Sequence, residues 1–274
     1  MSLATATTYV LGKTSAEHER LRRQGRLLDR ITRHWLENIG VSAGMRILDV
    51  GSGVGDTAIL LANLAGPTAE IVGVDLDESA LAVAHQRVAD AGLQNVSFHV
   101  GNFLTYESEK PFDAVVGRMV LVHQLDPVAA LRSLVAGLKP GGPVAFQEPW
   151  FSQAFCYPQI PLLQDLMGWI TATFKAAGLD PDLGSRLHSI FVESGLSAPE
   201  LCFEHRLECR ADSEVVELGA DTVRSLLPAM ERFGIVTKEI VQPDTLAWRL
   251  RRQSIEHGAV FGVMPMVGAW SRKH

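Results

Sequence analysis

Residues 47–55 carry the spacing a ligand-binding turn requires. The apolar run Ile47-Leu48-Asp49-Val50 is of strand length and holds an acid near its end, and Gly51, Gly53 and Gly55 follow at alternate positions. Glycines reach backbone angles other residues avoid and leave no Cβ in the way of a ligand approaching the main chain. A second acid, Asp75, ends the strand-like run Glu70–Asp75. Acids placed about 20 residues beyond such a turn accept ribose hydroxyls in α/β nucleotide sites. Together these residues predict an adenosine-bearing cofactor. Two further side chains have the chemistry of a base. His123 has an unperturbed pKa near neutrality. Glu148, in Gln147-Glu148-Pro149, is placed either as a base or as an acceptor for a substrate hydroxyl or amine. Arg118 would hold a carboxylate, on cofactor or substrate, or would simply pair at the surface.

The elements around these residues alternate in type. Thr57–Ala65 reads as a buried helix start, so residues 47–65 form strand, tight turn and helix. Further strands are expected at 70–75, 95–100, 112–117 and 144–148, with helices at 78–91 and 127–138. Phe112–Gly117 is a nearly continuous apolar run of the kind found at the centre of a parallel sheet. Open α/β sheets bind ligands outside the carboxyl ends of their strands, and Asp49, Gly51, Asp75, Asn102 and Gly117 all fall at or just beyond such ends. Ahead of the sheet, Leu21, Leu27, Leu28, Ile31, Trp35, Leu36 and Ile39 mark the apolar face of a helical arm over residues 15–39. Gly40 stops it.

Which adenosine cofactor is meant depends on the glycine spacing. The dinucleotide fingerprint needs a small residue three places after the second glycine, and here that place is Asp56. The pattern is instead D-x-G-x-G-x-G. With Asp75 it resembles motif I and its partner acid in class I S-adenosylmethionine (SAM)-dependent methyltransferases. Two further segments are similar to those of the small-molecule, quinone-biosynthesis type: Val120-Leu121-Val122-His123-Gln124-Leu125-Asp126-Pro127, and Leu138-Lys139-Pro140-Gly141-Gly142. The resemblance covers residues 45–148 and implies SAM as cofactor, with S-adenosylhomocysteine as product. It implies that Gly51, Ser52 and Gly53 cradle the methionine part and that Asp75, followed by Leu76, takes the ribose. It also implies that Asn102 hydrogen-bonds the adenine amino group while Phe103 flanks the ring. Asn102 departs from the commoner Asp, and a simple turn residue is the alternative. In this family a leading segment lies over the cofactor, which implicates Tyr9 and Gln24; the alternatives are a tail residue and a surface polar. Asp49 supplies negative potential beside a cationic cofactor or caps the amides of the glycine turn. His123 is either the base or a histidine shaping the SAM pocket.

Composition narrows the partners. The 274 residues carry a net charge of −6 with no dense basic block, which argues against nucleic acid as the main partner. Cys156, Cys202 and Cys209 make neither an even disulfide framework nor a short-spaced metal pair, and suit a reducing compartment. The nine histidines are scattered, so no metal site is expected. No apolar run approaches the ~20 residues of a membrane helix, and Met1–Thr8 lacks the regions of a secretory signal. A cytoplasmic location is the expectation, with room for a homodimer.

Two late segments depart from the family pattern. Trp150, Phe151, Phe155, Tyr157 and Trp169 concentrate aromatics where the family builds its substrate cover, and irregular aromatic loops commonly line apolar pockets; a packed helical insertion would also explain some of them. A second insertion, read as two helices over Asp221–Phe233 and Pro243–His257, separates a strand at 201–209 from a last strand at 261–270 that Pro265 interrupts. The expected fold is therefore α/β: a Rossmann-like, doubly wound, seven-stranded and mostly parallel sheet with an antiparallel last strand. A helical arm (1–40) precedes a methyltransferase domain (41–274) with cap insertions at about 149–182 and 211–258. The function this implies is methyl transfer from SAM to an O, N or C acceptor on a small, partly apolar molecule. The alternative is a non-catalytic SAM-binding regulatory or partner subunit, while Asp56 disfavours a nicotinamide-dependent oxidoreductase.

Overall fold

The computed structural model describes residues 11, 12, 14–209, 213–262 and 264–274. Thr14 opens the first helix, α1 (Ser15–Asn38), by accepting from the Glu17 amide, the standard way to satisfy an orphan donor of a helix start. Strands and helices then alternate: β1 (Arg46–Val50), α2 (Asp56–Ala65), β2 (Glu70–Asp75), α3 (Glu78–Asp90), β3 (Val96–Val100), β4 (Ala114–Arg118), α4 (Pro127–Ala136) and β5 (Pro143–Pro149). Asp77 caps α3 through the amides of Ser79 and Ala80, and Asp126 caps α4 ahead of Pro127, whose missing N–H costs nothing in the first turn. Beyond β5 come β6 (Cys156–Tyr157), α5 (Pro161–Ala176), α6 (Leu187–Glu193), β7 (Glu200–Glu204), β8 (Leu207–Glu208), α7 (Val215–Arg232), α8 (Lys238–Val241), α9 (Pro243–Glu256), β9 (Val260–Gly262) and β10 (Met266–Arg272).

The main sheet has seven strands in the order β3-β2-β1-β4-β5-β10-β7. The first five are parallel, and β10 runs antiparallel to both β5 and β7. This is the expected Rossmann-like sheet with its antiparallel last strand. Order reverses at β1, where β2 lies on one side and β4 on the other, so the loop after β1 opens at the topological switch point. Alternation along the strands divides the core. Leu48 and Val50 join one buried cluster with the residues of α4, α5 and α6, whereas Ile47 joins another with α1, α2 and α3. Asp49, in step with Ile47, therefore stands on the α1 side of the sheet, nearly inaccessible at 1% exposure.

Three details differ from the sequence expectation. The segment expected as one strand over 201–209 is two: β7 edges the main sheet, while β8 joins β6 and β9 in a separate three-stranded sheet. The last strand is likewise divided between sheets, because Pro265 has no amide hydrogen to carry a ladder onward. Helix α7 begins at Val215 rather than 221, since tertiary burial of Val216, Leu218 and Ala220 overrides the weak helix preference of its Val-Val and Gly residues. In space α5 packs against α7, and α7 against both α1 and α9. Arg23 pairs with Asp221, and Arg26 reaches Glu214 at 2.7 Å, tying α1 to α7. The arm and the two late segments thus meet over the carboxyl ends of the strands. Among the described residues no helix is long and apolar enough to cross a membrane.

Candidate functional site

The glycine turn is built by the local sequence. The amides of Gly51 and Ser52 both donate to the Val74 carbonyl, at 2.9 and 3.2 Å, so the turn hangs from the end of β2. Gly53 has φ +51°, and among the described residues a Cβ there would meet only Leu21, at 3.9 Å, so these residues leave the main chain open to a ligand. Gly55 also has a positive φ, +84°, but for a different reason: a Cβ would lie 3.0 Å from Ala84 and 3.2 Å from Phe98, so the early third glycine lets α3 approach.

Two carboxylates flank this turn. Asp75 accepts from the Gly53 amide at 2.8 Å and from the Asp77 amide at 2.9 Å. Burial raises its pKa, and those same amides oppose the shift. Asp49 is pushed up to about 7 by burial, against the hydrogen bond with Ser52 and the charge of Arg118. Its Oδ2 has no hydrogen-bond partner among the described residues. An orphaned buried carboxylate oxygen is costly unless something cationic meets it.

Helix α1 supplies the third wall. Gly25 makes its approach feasible, because a Cβ there would collide with Asp56 at 2.4 Å. Asp56 in turn holds Arg87 at 2.7 Å and Arg118 at 3.5 Å, and Arg118 also donates to Thr32 at 3.2 Å. On the buried stripe of α1, Arg20 donates to both carboxylate oxygens of Glu17, at 2.8 and 2.6 Å, and to Gln24 at 2.9 Å. All three are at least 95% buried.

The glycine turn, Asp75, Asp56, Arg118 and the Glu17, Arg20 and Gln24 group line one cavity of about 320 Å³; Asp49, expected to bind the cofactor, is not in its wall. At one end stand the glycine turn, Asp75, Leu76 and Asp77. At the other, Leu163, Leu166, Met167 and Ile170 of α5 face Leu218, Gly219 and Thr222 of α7. Phe103, His123, Phe151 and Phe174 also line it. The His123 ring lies 5.8 Å from that of Phe174, and burial, then the nearby Arg20 charge, hold its pKa down at about 4. Met119, in the wall, carries φ +57°, a sparsely populated conformation for a non-glycine residue.

The cavity wall gathers Gly51, Ser52, Gly53, Asp75, Leu76, Phe103, Arg118, Gln24, His123 and Phe151 from the expected site residues. Others fall elsewhere. Asn102 closes its own turn by accepting from the Leu104 amide at 2.9 Å. Gly117 is buried in the sheet, where a Cβ would strike Phe146 at 2.5 Å, so close packing accounts for it. Glu148, wholly buried, accepts from the amides of Val120, Leu121 and Val122. Burial raises it to about 7, against those three bonds. It is an anchor for the turn that carries His123 rather than a group facing the cavity. Trp150 packs edge-on to Phe203, Phe155 and Tyr157 are exposed, and Trp169 packs at the periphery of the core; none of the four lines the cavity. Tyr9 lies outside the described residues. Glu17 and Arg20, charged residues within the apolar stripe of a helix, and the wall formed by α5 and α7 lie in the cavity but are not among the site residues expected from the sequence.

The residues fit SAM. The zwitterionic methionine end needs an open main-chain turn and a negative potential near its ammonium, which Gly53 and Asp49, buried behind the cavity wall, could provide, and Asp75 could take the ribose. Among the described residues no group of three His, Cys, Asp or Glu side chains could hold a metal.

Comparison with known proteins agrees. The methyltransferase domain family matches residues 41–195. A ubiquinone/menaquinone biosynthesis C-methyltransferase of Ectopseudomonas oleovorans is 37% identical over 118 residues, which are 40% of this chain and 66% of that protein. For the same enzyme of Pseudomonas putida strain F1 the match, at 35% identity, covers 42% of this chain and 46% of that protein, so the chain spans about half to two thirds of the length of these relatives. In fold, a putative methyltransferase from Bacillus halodurans superposes with a TM-score of 0.58 at 19% identity, covering 88% of this chain and 98% of that one. The matched family model spans more than half of the 274 residues and includes the glycine turn, Asp75 and His123. The chain belongs to the methyltransferase domain family, with S-adenosylmethionine as its cofactor.

Proposed function

We propose that this protein transfers the methyl group of SAM to an oxygen, nitrogen or carbon atom of a small, partly apolar molecule. The observation that carries this reading is the continuity of the cavity: the polar glycine end and the apolar α5–α7 end form a single space, with His123 in the wall. A subunit that only sensed SAM would have no use for the second end. In this reading residues 1–40 form an arm over the cofactor. Residues 41–274 form the catalytic domain, and the segments at about 149–182 and 211–258 supply the acceptor cap through α5 and α7.

When bound, SAM supplies an activated methyl on a sulfonium centre with a good leaving group, so positioning and exclusion of water can provide most of the acceleration. The chain's own residues are suited to those tasks. Gly51–Gly53 and Asp75 orient the donor, α1 covers it, and Leu166, Ile170 and Phe174 give the acceptor a dry wall. His123 is neutral over the physiological range, with a pKa of about 4. It is therefore a better hydrogen-bond partner for an acceptor hydroxyl or amine than a strong proton acceptor. Glu148 steadies the His123 turn and takes no proton from the acceptor.

The relatives named above are C-methyltransferases of quinone biosynthesis, which makes hydroxylated aromatic rings the first acceptors to try. The test has two parts. Mass spectrometry of ligands carried through purification should find SAM or S-adenosylhomocysteine. Incubation with SAM and a panel of phenols, quinols and amines should then give acceptor-dependent S-adenosylhomocysteine. Ligand without turnover on any panel member would favour the non-catalytic subunit.

A further inference from the structure

The charges lining the cavity are sorted by end, and from that sorting we infer that the acceptor is uncharged: a molecule with no carboxylate, phosphate or ammonium group where it meets α5 and α7. This rests on the methyltransferase reading above and narrows its acceptor to one charge class.

Among the described residues, every charged side chain in the wall comes from elements around the glycine turn. Asp75 ends β2, Asp77 caps α3, Asp56 starts α2, Arg118 ends β4, and Glu17 and Arg20 belong to α1. Each is engaged within the protein. Asp75 accepts from the Gly53 amide, Asp77 from the first amides of α3, Asp56 pairs with Arg87 and Arg118, and Glu17 pairs with Arg20. The Arg20 charge is felt at His123, but Glu17 lies 2.6 Å from the guanidinium, so the pair brings little net charge to that turn.

The α5–α7 wall is built otherwise. Every residue that α5 contributes to it is apolar, Leu166, Ile170 and Phe174 among them, and of the four from α7 only Thr222 is polar. The Thr222 hydroxyl donates to the Leu218 carbonyl at 2.7 Å. Charged residues of the same two helices lie outside the wall. Asp165 and Lys175 of α5 are exposed. On α7, Glu217 pairs with Arg251, and Asp221 with Arg23 and Arg224.

A charged group pressed against this wall would lose its water and meet no opposite charge, which is costly in an enclosed apolar space. A hydroxyl or neutral amine needs only one hydrogen-bond partner to be tolerated there. The His123 ring, 5.8 Å from that of Phe174, stands at this wall. The rings of Phe151 and Phe174, 5.7 Å apart and edge to face, and the adaptable thioether of Met167 suit a flat apolar body.

Titration calorimetry on the protein saturated with S-adenosylhomocysteine tests this with 2-naphthol and 2-naphthoate, which share a ring system and of which only the second is charged at neutral pH. Wild type is expected to bind 2-naphthoate roughly 100-fold or more weakly than 2-naphthol. Thr222→Lys, which brings a cation into the wall, should close most of that gap. Similar affinities for the two probes in wild type would overturn the inference and leave the methyl-transfer reading standing. So would a Thr222→Lys protein that still binds S-adenosylhomocysteine and discriminates as before. Binding of neither probe to the loaded wild type would mean that the apolar end is no acceptor site, and would remove the methyl-transfer reading together with the inference.

Discussion

Glu148 Oε1 accepts the amide hydrogen of Leu121 at 2.8 Å, from a position with no exposed surface. With the flanking bonds from Val120 and Val122, one carboxylate holds the whole turn leading to His123. Glu148→Gln would keep one acceptor but turn an NH₂ group toward a backbone donor. The expected cost is about 2 kcal/mol, or a fall in Tm of roughly 4–8 °C. Calorimetric unfolding checks it, and loss of turnover with an unchanged Tm would return Glu148 to the list of bases.

Asp75 both shapes the glycine turn, through the Gly53 amide, and faces the cavity. Asp75→Ala should abolish measurable binding of S-adenosylhomocysteine. Asp75→Asn, which can still accept from Gly53, should retain part of it. Titration calorimetry on the two variants decides the matter, and wild-type affinity in Asp75→Ala would sink the ribose assignment.

Asp49, buried behind the glycine turn, is expected to make donor binding depend on pH through its charge. Its pKa rises from 3.8 to about 7 on folding, chiefly through burial, so the folded protein holds this proton more tightly than the unfolded chain. The resulting stabilisation is complete below 3.8 and disappears as pH rises through about 7. An ammonium group needs the ionised form. Affinity for S-adenosylhomocysteine should therefore increase between about pH 6 and pH 8, with proton release on binding visible as a buffer-dependent enthalpy. Asp49→Asn should remove that dependence.

His123 behaves in the opposite sense. Burial and the Arg20 charge lower its pKa from 6.5 to about 4, so its contribution to stability is present above 6.5 and lost as pH falls through about 4. NMR titration should show a neutral imidazole at neutral pH. His123→Ala is expected to reduce turnover about 100-fold or more with much less effect on donor affinity. Unchanged turnover would take His123 out of the mechanism.

Gly219 sits in the second turn of α7 and lines the cavity, where an added Cβ would lie 3.3 Å from Leu166 Cδ1. A glycine inside a helix costs about 1 kcal/mol relative to alanine, and here it lets α5 approach α7 through Leu166. Gly219→Leu should raise KM for acceptors identified in the panel without weakening S-adenosylhomocysteine. Equal kinetics in variant and wild type would place the acceptor away from α7.

The donor half of the site was legible in the sequence because its information is local. A strand, a turn of alternating glycines and a helix are specified within residues 46–65. The acid at the tip of the next strand is brought alongside by parallel pairing of β1 with β2, Asp49 opposite Gly73 and Val50 opposite Val74. Hydrophobic periodicity likewise sufficed for the sheet and for α1. It did not reveal that Asn102 would spend its side chain on its own turn, that Gly117 would be needed by Phe146, or that Glu148 would be consumed by three amides. Each of those outcomes depends on which backbone lies opposite, a matter of tertiary contact.

What the sequence by itself determined is the cofactor: glycine spacing and two acids act through backbone angles and short-range pairing that the chain encodes within a few residues. What only the tertiary structure decided is how the site is closed. Glu17 and Arg20 come from the arm, Leu166 and Ile170 from α5, and Leu218 and Gly219 from α7, with more than a hundred residues between the arm and α5 and a further long segment between α5 and α7. They converge because each helix must bury an apolar stripe against the others, and no single stripe records which partner covers it.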